Sequence, residues 1–104
     1  MDEVTKATTN KILRGLALRI ANEANAAGGA GVVLISAVLK QHGYNLEQEK
    51  VLGMCKYLQD KGLVNLETIG NDSLKIHRVI AHITAKGIDV LEGTETIDGI
   101  ILES

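Results

Sequence analysis

The chain has 104 residues, 45% of them hydrophobic, and a formal net charge of −2, which suits one small folded domain rather than a disordered segment. It contains no Phe, Trp or Pro, two Tyr and a single Cys. That composition argues against an aromatic-walled cofactor pocket or a base-stacking RNA platform, and one Cys excludes an internal disulfide.

Charge is unevenly spread. From Asp89 to Ser104 there are five acidic residues and no basic one, which leaves eight acidic and eleven basic residues in positions 1–88. A weakly basic body with an acidic tail fits a nucleic-acid binder, and it also fits an ordinary solvated protein. No signal-peptide pattern opens the chain and no apolar run reaches the ~20 residues needed to span a bilayer. A soluble, cytoplasmic protein without membrane contact is expected.

Residues 4–26 read as a first helix, with Leu13, Leu16, Ala17, Ile20 and Ala24 on one face. Gly28, Gly29 and Gly31 end it. A phosphate loop needs a strand before the glycines and a Lys-Ser or Lys-Thr pair after them. Neither is present, so the cluster reads as a connector. Residues 33–42 form a second helix with Ile35, Val38, Leu39 and His42 on a stripe, and Gly43 supplies its left-handed end. His42 there suits the helix terminus better than a metal.

Asn45 and Gln48 read as an Asn-x-x-Gln capping box opening a third helix. Val51, Cys55 and Leu58 form its buried stripe, flanked by Leu52 and Met54, and Gly62 stops it. Cys55 is therefore expected to be a buried, unreactive thiol. Residues 63–69 alternate as a strand, Gly70 to Ser73 supply turn chemistry, and residues 74–83 return as a second strand. Leu74 and Ile76 share one parity, Val79, Ala81 and Ile83 the other. Either a bulge near His77 and Arg78 or burial of the inner half on both faces reconciles them. Thr84 caps a short last helix that ends at Gly93. The division expected is a domain over residues 1–93 and an acidic, apolar tail over residues 94–104. Ile97, Ile100, Ile101 and Leu102 in that tail should pack, on their own domain or on a partner subunit.

The run Tyr57-Leu58-Gln59-Asp60-Lys61-Gly62-Leu63-Val64 resembles the end of the recognition helix in bacterial winged-helix regulators. The phrase Ile83-Thr84-Ala85-Lys86-Gly87 resembles the start of the short helix after their wing. The whole layout is similar to small ArsR-like winged-helix proteins of Mu-like prophages. This resemblance implies an α+β winged helix-turn-helix of three helices, a two-stranded β-hairpin wing and a short C-terminal helix. It implies a homodimeric transcriptional regulator that binds double-stranded DNA through the third helix, Leu46 to Lys61, and a wing tip at Gly70 to Ser73.

Phosphate neutralisation by Lys and Arg supplies most DNA affinity. The third helix sets Lys50, Lys56 and Lys61 against Glu47, Glu49 and Asp60, so it is neutral. Candidates for DNA contact are Lys40, Gln48, Lys50, Lys56, Lys75, His77 and Arg78. Gln48 suits adenine and Lys50 suits guanine or phosphate. Gly53 costs helix stability unless a backbone approaches it. Gly53 and Tyr57, with Ile97, Ile100 and Ile101, are the candidates for a protein partner, in a second reading without DNA. Thiolate metal sensing needs several Cys, and His77 and His82 lie five apart on a strand. No metal site, cofactor or catalytic constellation is expected, so the chain does not read as an enzyme.

Overall fold

The computed structural model describes residues 2–102. Glu103 and Ser104 of the expected tail lie outside the described residues. The elements are α1 (Glu3–Glu23), a short 3-10 turn (Asn25–Ala27), β1 (Ala30–Gly31), α2 (Val32–Gln41), α3 (Gln48–Asp60), β2 (Val64–Asn71), β3 (Ile76–Ile83) and α4 (Ala85–Glu92). Among the described residues this is an α+β chain with four α-helices and one antiparallel sheet in the order β1-β3-β2. The third strand, β1, was not expected. It is two residues long, with Ala30 opposite Ala81 and Gly31 opposite Ile80.

Local chemistry sets the helix ends. Asp2 caps α1 by accepting the Thr5 N–H at 2.8 Å, and that bond holds its carboxyl below the usual range. Gly43 and Gly62 close α2 and α3 in left-handed backbone, with the Tyr44 and Leu63 N–H groups returning to the Leu39 and Leu58 carbonyls. Thr84 caps α4 by accepting the Gly87 N–H, while its own hydroxyl donates to the Gly62 carbonyl at 2.7 Å. One side chain thus ties the end of α3 to the start of α4.

Two expectations about the centre of the chain need correction. Asn45 does not cap α3. The helix begins at Gln48 after an extended Glu47 whose side chain makes no capping bond. Tyr44 and Leu46 pack against the core, and residues 44–47 lead into the helix without regular structure. The hairpin turn also lies later than expected. Gly70 and Asn71 pair within β2, and the Asn71 side chain accepts the Leu74 N–H at 3.1 Å. The turn is completed by Lys75, whose φ of 54° is left-handed.

No bulge is present in the hairpin. Eight consecutive pairs run from Val64 opposite Ile83 to Asn71 opposite Ile76 in one register. Leu74 lies in the turn and is 67% exposed, while Ile76 and Ile80 lie in β3 on the face opposite Val79, Ala81 and Ile83. Val64, Leu66, Val79, Ala81 and Ile83 pack against the helices. On the opposite face, His82 and Ile80 lie under Gly29, where a Cβ would collide with both side chains. The inner half of β3 is therefore covered on both faces.

The core is aliphatic, built on Leu18, Ile35, Leu39, Leu58, Leu63 and Val64 between the helices and the sheet. Cys55 lies within it, and burial pushes its thiol up to about 11. The segment 94–102 turns back along α1 instead of leaving the body. The Ile101 N–H donates to the Lys11 carbonyl at 3.1 Å. Arg14 donates to the Gly99 carbonyl at 3.2 Å and Tyr57 to the Asp98 carbonyl at 3.4 Å. A Cβ at Gly15 would strike the Ile101 carbonyl, so this close approach depends on glycine. No helix among the described residues is long and apolar enough to cross a membrane.

Candidate nucleic-acid interface

One concave face gathers several of the expected residues. A groove of about 580 Å³ lies where the first turns of α2 and α3 meet the outer part of β3. Gln48 and Glu49 line it from α3, and His77 and Arg78 from β3. The groove exists because β1 pairs with only two residues of β3. The chain leaves the sheet at Val32 and turns into α2, so on that edge β3 has no strand beside it from Ile76 to Val79, while β2 pairs with its other edge.

The helix ends that open on this groove are unusually bare. Neither Gly31, which precedes α2, nor Glu47, which precedes α3, places a side chain on the first-turn N–H groups. Those groups carry the positive ends of the helix dipoles. Arg78 borders the groove from β3, where strand alternation sets its side chain with Ile80 and His82 on the other face of the sheet; among the described residues it has no carboxylate partner. Glu49 lines the α3 wall.

Other expected contacts lie elsewhere. Lys40 is in the last turn of α2, roughly 12 Å along the helix axis from its groove end. Lys50 lies with Gly53 and Tyr57 on a shallower cleft of about 280 Å³ between α1 and α3. Lys56 is exposed on α3, away from both clefts. Lys75 sits at the hairpin tip with Asp72, so the tip carries a base. His77 is near Asp72 at 3.8 Å.

The residues singled out for a protein partner are mostly engaged at home. The Arg14 guanidinium lies 3.8 Å from the centre of the Tyr57 ring. Ile97 and Ile100 are half-buried against the core, and Ile101 stays 37% exposed. Gly53 alone is open, since a Cβ there would meet nothing within 4 Å. His82 bonds Glu67 at 2.9 Å on the far face of the sheet. Among the described residues no three His, Cys, Asp or Glu side chains gather as a metal site would need.

Val33 and Leu34 were missed. They are 61% and 45% exposed on the rim of the groove. A signal for them exists in the run Val32-Val33-Leu34-Ile35: four consecutive apolar residues exceed what one face of a helix can bury. The chain matches no family model and no curated protein sequence.

Proposed function

We propose that the chain is a winged helix-turn-helix regulator of transcription that binds double-stranded DNA, with α3 as the reading helix and the β2–β3 hairpin as the wing. The order of three helices before the hairpin, and of β1 beside β3, supports this reading. The observation that carries it is the groove, which two helix N-termini without side-chain caps, Gln48, His77 and Arg78 line together. Helix N-termini and Arg are phosphate ligands, and Gln48 at the start of α3 is positioned to reach a base edge. Lys75 at the hairpin tip extends the basic edge. With α3 itself neutral, affinity comes from the hairpin and from a second subunit on an adjacent half-site. The prophage resemblance makes neighbouring phage genes the natural targets.

Titration of random duplex at low and moderate salt tests this. Binding should weaken with salt with a slope corresponding to roughly two to four phosphates per subunit. Absence of binding at low salt rejects the proposal.

A second reading is favoured by one observation. Val33 and Leu34 expose apolar surface on the same face, which suits a protein partner better than phosphate. Under that reading the fold is a protein-interaction module, and duplex has no effect on it.

A further inference from the structure

We infer that the free edge of β3 accepts an extended segment of a partner protein, added as a strand beside Ile76 to Val79 and alternating apolar with acidic side chains. Such a partner belongs to the protein-interaction reading above, on which this inference rests.

The groove meets β3 at its backbone. His77, Arg78, Val79 and Ile80 line it in unbroken succession, although their side chains alternate between the two faces of the sheet. Only the edge of a strand presents four consecutive residues in that way. Two glycines fix the main-chain directions. The Ile76 carbonyl faces Gly70 of β2, where a Cβ would stand 3.8 Å from it, and the Val79 carbonyl faces Gly31 of β1 at the same 3.8 Å. The N–H of a trans peptide points opposite to its carbonyl, so the His77 N–H points away from β2 and into the groove. Alternation along an antiparallel ladder sends the His77 carbonyl and the Val79 N–H the same way. Among the described residues, no turn, loop or side-chain bond takes up these three groups.

An unpaired strand edge is a template for another strand. β1 does not fill it, because its chain turns into α2 at Val32. Continuing the antiparallel line of β1, an added strand has room for about four residues, or about 13 Å. Side chains opposite His77 and Val79 point towards the helices. They meet half-buried Leu52 and Val79, with exposed Val33 and Leu34 at the rim, so apolar side chains fit. The side chain opposite Arg78 points to the other face. Arg78 is exposed there, its neighbour on β2 is Ile69, and it has no carboxylate partner among the described residues. An acidic residue at that place completes a cross-strand ion pair. Phosphate has no donor for the His77 carbonyl, whereas a peptide backbone matches all three groups.

Fluorescence anisotropy of a labelled, capped eight-residue peptide alternating valine and glutamate tests this on the full chain. The peptide should bind. N-methylation of its two central valines removes the donors that face β3 and should weaken binding about tenfold or more. N-methylation of the two central glutamates, whose N–H groups face away, should change it by about twofold or less. His77→Pro deletes an edge N–H without touching the ladder to β2, and should weaken binding as the valine methylation does. Arg78→Glu should shift preference to a peptide alternating valine and lysine. Both positions are exposed, and melting curves verify folding. If His77→Pro does not fold, the two methylated peptides decide the matter on the wild type.

Equal binding of the two methylated peptides, or an unchanged charge preference in Arg78→Glu, would overturn strand addition while leaving a protein-interaction module standing. A wild type that ignores every peptide would overturn it as well. Duplex binding by that same sample would then leave the DNA reading alone.

Discussion

The two sides of this molecule are built by opposite rules. On the back, the segment 94–102 is fastened to α1 and α3 by Ile101, Arg14 and Tyr57, with Gly15 giving it room. Polar groups of that segment find partners inside the chain, and Ile97, Ile100 and Leu102 pack against the core. On the front, two helix ends lack side-chain caps, Arg78 has no carboxylate partner among the described residues, and Val33 and Leu34 face water. A small domain has little stability in reserve. Leaving one face so incompletely satisfied makes sense where something outside the chain completes it.

Substitutions on the two sides should therefore differ in size and sign. The largest effect is expected from Gly15→Val, which forces a side chain into the Ile101 carbonyl. Urea melts should show a loss of about 1–3 kcal/mol, as for overpacked sites. Hydrogen exchange at the Ile101 amide should rise at the same time. An unchanged melt would mean that the segment 94–102 contributes nothing to the fold.

Thr84→Ala removes the cap of α4 and the bond to the Gly62 carbonyl, and should cost about 1 kcal/mol in the same assay. Gly53→Ala should act in the other direction, stabilising by about 1 kcal/mol, because nothing in the chain approaches that position. If duplex or dimer affinity falls at the same time, the glycine serves a partner; gained stability alone makes it neutral drift. Val33→Ser on the front should change stability by no more than about 0.5 kcal/mol, since its side chain supports little of the fold. A loss as large as that of Gly15→Val would abolish the contrast between the two sides. The smallest response is expected at Cys55. The buried thiol, pushed up to about 11, should resist iodoacetamide at pH 8 until the chain is unfolded.

Much of the helical framework was legible in the sequence, because it is made of local signals. Gly43, Gly62 and Gly93 mark helix ends by backbone conformation, Thr84 marks a start, and the spacing of Val51, Cys55 and Leu58 marks a buried stripe. The front was harder to read because tertiary packing decides it. β1 has two residues and no period, so only its pairing with β3 reveals it. Asn45 carries a good cap signal, yet Tyr44 and Leu46 pack against the core and the helix begins only at Gln48. The Asn71 side chain, bonding the Leu74 N–H, moves the turn beyond the glycine that seemed to define it. The candidate contacts were legible as a set of polar residues but not as a site. Gln48, His77 and Arg78 come together only because the sheet ends early beside α2, while Lys40 and Lys56 point elsewhere.

The most direct test of this asymmetry is residue-by-residue mapping of backbone amide shifts as a short duplex is added to the full chain at low salt. The account predicts changes in the first turns of α2 and α3, in Ile76 to Val79 and at Lys75, with α1 and residues 94–102 unmoved. Changes centred on α1 and that returning segment, or none at any position, would contradict it.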